Sequence, residues 1–183
     1  MTNPTNVISL RLATSADERA LRVLIEASVR VLQKNDYTPE QIDGALGTLL
    51  GLDTQLVADG TYFVAEITGQ LAGSGGWSKR TTLFGGDQSK TMLVDPLLDP
   101  TTAAARIRAF YVDPRWSRKG VGSKILTACE NAARTAGFKR IELVATLPGE
   151  PLYTARGYKK MEAMQLETPD GESLPAFRMT KSL

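Results

Sequence analysis

One strand-turn-helix unit does more than any other stretch of this chain to limit its fold. Residues 107–112, Ile-Arg-Ala-Phe-Tyr-Val, form an apolar strand-like run, Asp113-Pro114 breaks it, and Ser117-Arg118-Lys119-Gly120-Val121-Gly122 turns the chain. An amphipathic helix then runs to Ala136, with Val121, Ile125, Ala128, Cys129, Ala132 and Ala136 as its expected buried stripe and Gly137 as its stop. Such a unit requires a helix packed on a sheet. The turn also has chemical meaning, because the first N–H groups of a helix lack carbonyl partners and sit at the positive end of the dipole. Gly120 and Gly122 keep side chains away from those donors, and Arg118 and Lys119 add charge beside them. The unit is a candidate pyrophosphate cradle. Tight turns and close helix–strand packing want the same glycines, so the rest of the chain has to decide.

Upstream, residues 8–12 alternate in polarity as a half-buried strand does. Ser15 with Glu18 reads as a capping box for a helix carrying Leu21, Leu24, Ile25, Ser28 and Leu32 on one side. Thr38-Pro39-Glu40-Gln41 starts a second helix, with Ile42, Ala45, Leu46, Leu49 and Leu50 as its apolar face. Residues 62–67 and 70–77 form a hairpin about Thr68-Gly69, and Gly73, Gly75 and Gly76 in its second arm suggest a bulge or the close approach of a ligand. Residues 79–104 lose all periodicity. Residues 141–146 make a central strand, 152–156 a short helix closed by Gly157, and 161–167 with 176–179 a last strand pair. The expectation is one domain over 1–183 of α/β (α+β) class, with a mixed sheet.

Composition removes several chemistries. The chain has no histidine, which excludes Ser-His-Asp and Cys-His catalysis and His-ligated zinc, so no metal is expected. The single Cys129 lies on the apolar helix face and reads as packing. With 22 basic against 20 acidic residues the formal charge is +2, which directs the protein to neither nucleic acid nor membrane. The polar start and the lack of a long apolar run make the cytoplasm the expected location. Gly120-Val121-Gly122-Ser123-Lys124 lacks the spacing of a phosphate-binding NTPase loop.

In order and spacing, the strand at 107–112, the turn Asp113-Pro114, the run 117–122 and the downstream Tyr153-Thr154-Ala155-Arg156-Gly157-Tyr158 resemble the GNAT acetyltransferase superfamily, over nearly the whole chain. The resemblance implies a mostly antiparallel sheet of six to seven strands flanked by about four helices. It implies acetyl-coenzyme A as cosubstrate, with main-chain groups of Phe110, Tyr111 and Val112 pairing with the pantetheine arm and one N–H there meeting the thioester oxygen. The cradle Ser117, Arg118, Lys119, Gly120, Val121, Gly122 and Ser123 would hold the pyrophosphate, although Ser117 stands where the family pattern has Gln or Arg. Tyr153 matches the tyrosine that in many members protonates the departing thiolate; the alternative is that its ring only packs.

The implied reaction is attack of an amine on the thioester, and the amine must lose a proton. Some members carry a glutamate on the strand before the cradle, but Arg106 stands there in this chain. Glu150 and Glu66 are the remaining candidates for a base, against the plainer reading that both are surface carboxylates. Tyr37, Trp77 and Phe84 are candidate acceptor contacts, with Trp77 equally suited to a core. A small-molecule amine is favoured, since no extended acidic run offers docking for a basic tail. The alternative function is a catalytically inactive acyl-coenzyme A-binding sensor or partner module of the same fold. A homodimer is expected from the resemblance only.

Overall fold

The computed structural model describes residues 7–89 and 95–183; the polar start and part of the aperiodic stretch read above lie outside them. The chain runs β1 (Ile8–Leu12), α1 (Glu18–Leu32), α2 (Pro39–Ala45), α3 (Thr54–Ala58), β2 (Tyr62–Ile67), β3 (Gln70–Ser78) and β4 (Ala105–Val112). It continues through α4 (Val121–Thr135), β5 (Arg140–Thr146), α5 (Glu150–Ala155), β6 (Lys159–Glu167) and β7 (Ser173–Ser182). The strands make one mixed sheet in the order β1-β2-β3-β4-β5-β7-β6, antiparallel everywhere except between β4 and β5.

That exception positions the site. β4 and β5 pair only at Ala105↔Ile141 and Arg106↔Glu142. β5 instead pairs with β7 along its whole length, from Arg140↔Ser182 to Thr146↔Ala176. A wedge therefore opens between the C-terminal halves of β4 and β5, in the middle of the sheet. The two faces of the sheet carry separate apolar layers. On one, Val121, Ile125, Leu126, Cys129 and Ala133 of α4 pack on Ile107, Ile141 and Leu143; on the other, Leu21, Leu24, Ile25 and Val29 of α1 pack with Leu56, Tyr62 and Val64.

Several local expectations are corrected. The capping box of the first helix is Thr14 with Asp17, one residue earlier than Ser15 with Glu18, because the Asp17 carboxylate accepts from Thr14 N at 2.8 Å while Arg11 grips it from β1. The second helix stops at Ala45: Leu46 is extended, Gly47 has φ +81°, and Leu46 bridges to Leu50, so Leu46, Leu49 and Leu50 lie beyond the helix. The short α3, capped by Asp53, was not expected. α4 ends at Thr135, so Ala136 lies just past it and is exposed, while Leu126 and Ala133 face the core. The glycines of β3 make room for protein and not for a ligand. A Cβ at Gly75 would overlap the Phe110 ring, and one at Gly73 would lie 2.7 Å from Val121 Cγ1. Among the described residues, no helix is long and apolar enough to cross a membrane.

Candidate functional site

The wedge is shaped by a fault in the β3–β4 ladder. Ser74 pairs with Tyr111 and Gly76 with Arg108, so Ala109 and Phe110 together face Gly75 alone. Ala109 takes φ +50°, an uncommon conformation for a residue with a side chain. The buried Tyr62 holds it there, donating its hydroxyl to Ala109 O at 2.8 Å. The bulge takes the backbone of Ala109 and Phe110 out of the regular ladder at the point where β4 leaves β5. The Ala109 carbonyl is thus taken by Tyr62, while main-chain N–H groups displaced from a ladder beside a cavity are of the kind that an added chain or a developing oxyanion can use.

Beyond β4 lies the cradle. Arg118 and Gly120 both adopt left-handed backbone, with φ +61° and +87°, a geometry that turns successive N–H groups toward one concave spot. Gly120 caps α4 without a side-chain bond, and the first intrahelical bond runs from Lys124 N to Gly120 O at 3.0 Å. The N–H groups of Val121, Gly122 and Ser123 consequently have no partner within the helix. The Lys119 ammonium lies 4.8 Å from the centre of the Trp116 ring. A Cβ at Gly120 would meet nothing, so glycine serves its backbone conformation; a Cβ at Gly122 would come within 3.1 Å of Leu152 Cδ2, so glycine there lets α4 approach α5 closely.

Cradle, bulge and wedge open onto one cavity of about 520 Å³. Of the residues expected to hold a cofactor, Phe110, Tyr111, Val112, Ser117, Arg118, Gly120, Val121, Gly122, Ser123 and Tyr153 line it; Lys119 stands exposed beside it. Tyr153 is 7% exposed, its ring edge-on to Phe110 and Tyr158 with centroids 6.0 and 5.7 Å away. Its hydroxyl makes no hydrogen bond among the described residues, and burial, followed by Cys129 and Tyr111, holds its pKa well above the usual phenol range. Val112 N donates to Ser28 Oγ at 3.3 Å, fixing α1 to the end of β4.

The other candidates are placed elsewhere. Glu66 lies outside the cavity and accepts from Arg11 Nε and Nη2 at 3.1 and 2.8 Å. Glu150 also lies outside it, held by the Thr154 hydroxyl and, at 3.2 Å, by Lys160; the Thr154 bond in particular keeps it below the usual carboxylate range. Tyr37 is buried off the cavity, donating to Pro175 O at 2.7 Å and accepting from Leu147 N at 2.9 Å, and burial raises its pKa to about 12. Trp77 is core, packed edge-on to Phe138. Of the three aromatic acceptor candidates, Phe84 alone lines the cavity.

Sequence reasoning did not single out Gln33, Leu49 or Leu50 on the α1–α3 side, or Arg108 of β4, as residues of the cavity wall. Arg108 is 3% exposed, paired with Asp53 ahead of α3 and, at 3.6 Å, with Asp95, so its charge is matched inside the protein. Arg106 pairs with Glu142, which also binds Arg178 at 2.7 Å. Arg108 and Arg118 are the charged side chains lining the cavity among the described residues, and no carboxylate joins them.

The family model described as "Acetyltransferase (GNAT) family" matches residues 27–158, well over half of the chain. No curated protein matches in sequence. Among solved structures, a GCN5-related N-acetyltransferase from Rhodopseudomonas palustris is 22% identical with a TM-score of 0.71, over 96% of this chain and 95% of that one. PaiA N-acetyltransferase from Thermoplasma acidophilum, solved in complex with coenzyme A, is 14% identical with a TM-score of 0.64, over 97% and 99%. The yncA protein from Salmonella typhimurium, solved with its cofactor acetyl-CoA, is 20% identical with a TM-score of 0.64, over 97% and 95%.

Proposed function

The chain belongs to the GNAT acetyltransferase family, and from that premise we propose that it moves an acetyl group from acetyl-coenzyme A to the nitrogen of an amine, in the cytoplasm. One observation carries this reading: a cavity in the β4–β5 wedge with free helix amides at one end and a buried, unbonded phenol in its wall. The amides of residues 118–123 hold the pyrophosphate, whose charge Arg118 and Lys119 offset. The pantetheine arm lies along residues 110–112 in the place a neighbouring strand would take.

The neutral amine attacks the thioester carbon, and a main-chain N–H at the bulge meets the oxyanion. As the tetrahedral species collapses the C–S bond breaks, Tyr153 gives its proton to the leaving sulfur, and the nitrogen releases one to water. Water then reprotonates Tyr153, so amine and acetyl-coenzyme A become amide and free thiol with no net proton change. The raised pKa suits this role, since the phenol stays protonated until needed. No carboxylate among the described residues lines the cavity, which favours a water-borne proton over Glu150 or Glu66 as base.

Thiol release from acetyl-coenzyme A, measured with a panel of amino acids, aliphatic amines and short peptides, tests the reading. Turnover that falls by about 10²-fold or more in Tyr153→Phe with cofactor affinity retained supports it. Tight cofactor binding with no turnover across the panel would leave the inactive acyl-coenzyme A-binding module in its place.

A further inference from the structure

Arg156 stands at the end of α5, and its place is fixed from two sides. Its N–H closes that helix on Leu152 O and Tyr153 O at 3.1 and 3.0 Å, and Gly157, with φ +87°, turns the chain away after it. Its guanidinium reaches across to α4, where Nη2 donates to Thr127 Oγ1 at 2.6 Å, and the Thr127 hydroxyl in turn donates to Ser123 O at 2.9 Å. Ser123 belongs to the cradle, and Ala155, the neighbour of Arg156, lines the cavity. A guanidinium is thereby held at the rim of the cradle, one helical turn along α4.

That guanidinium is short of partners. Its Nε and Nη1 make no hydrogen bond among the described residues, and no carboxylate there pairs with it. The carboxylates of the flanking elements are taken by other cations: Asp113 by Arg115, Glu130 by Lys181 and Glu150 by Lys160. Lys124, exposed in the first turn of α4, also has no ion pair among the described residues. Arg118 and Lys119 already answer the pyrophosphate, so Arg156 and Lys124 are positive charge in excess of it. A phosphate monoester, with about −1.5 to −2 charge at pH 7 and three acceptor oxygens, is the group that such an excess fits.

Coenzyme A carries one such group, the 3′-phosphate of its nucleotide. Its pantetheine arm and its nucleotide leave the pyrophosphate at opposite ends, so an arm that runs into the wedge along residues 110–112 sends the nucleotide outward over the rim. Resting on the cofactor site of the reading above, we propose that Arg156 binds the 3′-phosphate of coenzyme A, with Lys124 adding charge from α4, and so selects the 3′-phosphorylated cofactor over 3′-dephospho-coenzyme A. The planar fork offers two donors to one phosphate, and the bond to Thr127 lowers the cost of ordering a long side chain on binding.

The probes are coenzyme A and 3′-dephospho-coenzyme A, each titrated calorimetrically into wild type, Arg156→Gln and Arg134→Gln. The last variant removes an exposed cation from the far end of α4 and measures the general effect of charge. Wild type should bind coenzyme A about tenfold more tightly than the dephospho form. Arg156→Gln should lose about tenfold in affinity for coenzyme A and bind the dephospho form within about twofold of wild type, which also reports an intact cradle. Arg134→Gln should leave both constants within about twofold. A wild type that binds the two ligands equally would overturn the proposal; so would an Arg156→Gln that weakens both alike, or an Arg134→Gln that lowers the preference as far. A wild type that binds neither ligand is a different failure, that of the cofactor site itself, and is seen before any variant is made.

Discussion

Tyr153 sits where a phenol keeps its proton, surrounded by Phe110, Tyr158 and the buried layer of Cys129. Its active form as an acid is the protonated one, and burial extends that form to higher pH. The rate should therefore rise with pH as the acceptor amine loses its proton, with no falling limb below about pH 10, the ordinary tyrosine range. A falling limb near neutrality in kcat would contradict the assignment. Tyr153 could be singled out because the family resemblance marks it, four residues before Gly157 in a short helix that follows a central strand. Gln33 and Arg108 were not. A glutamine closing an amphipathic helix and an arginine in a strand each read as surface, and only the tertiary arrangement encloses them.

At the scale of elements, the turn before α4 was readable because left-handed backbone selects glycine, as at Gly120. Gly120→Val should cost about 1–2 kcal/mol by forcing a β-branched residue into φ +87° with no clash to blame, and chemical denaturation would measure it. A loss no greater than a surface substitution would mean that the turn relaxes freely. The Tyr37 hydroxyl joins Leu147 N to Pro175 O, so Tyr37→Phe leaves an N–H and a C=O unmatched and should cost about 1–3 kcal/mol, with little change in cofactor affinity, since Tyr37 lies off the cavity. The end of α2 and the start of α3 were less legible. Leu46, Leu49 and Leu50 keep a helical spacing, but Gly47 in left-handed backbone turns the chain back so that Leu46 bridges to Leu50. Helical periodicity and a compact apolar turn bury the same residues. Asp53 signals α3 by its side-chain bond to Gln55 N, although a five-residue helix has too short a period to read.

For the whole molecule, the decisive property is that β5 leaves β4 after two residue pairs and stays with β7. Strand order and this parting depend on long-range pairing, which no local pattern in the chain states; a mostly antiparallel sheet of six to seven strands was expected through family resemblance, and the mixed α/β class through the order of elements. The central claim is that the wedge and cradle form an acetyl-coenzyme A site. The most direct measurement is the melting temperature of wild type and of Gly122→Glu with and without acetyl-coenzyme A. At about a hundred times its Kd the ligand should stabilise wild type by roughly 2.7 kcal/mol, a rise of several degrees for a chain of this size. Gly122→Glu places a carboxylate against the cradle amides, and Leu152 Cδ2, 3.1 Å from the new Cβ, is a flexible neighbour that can yield. That variant should melt as a folded protein and gain nothing from the ligand. An unshifted wild type, or an equal shift in both proteins, would contradict the account.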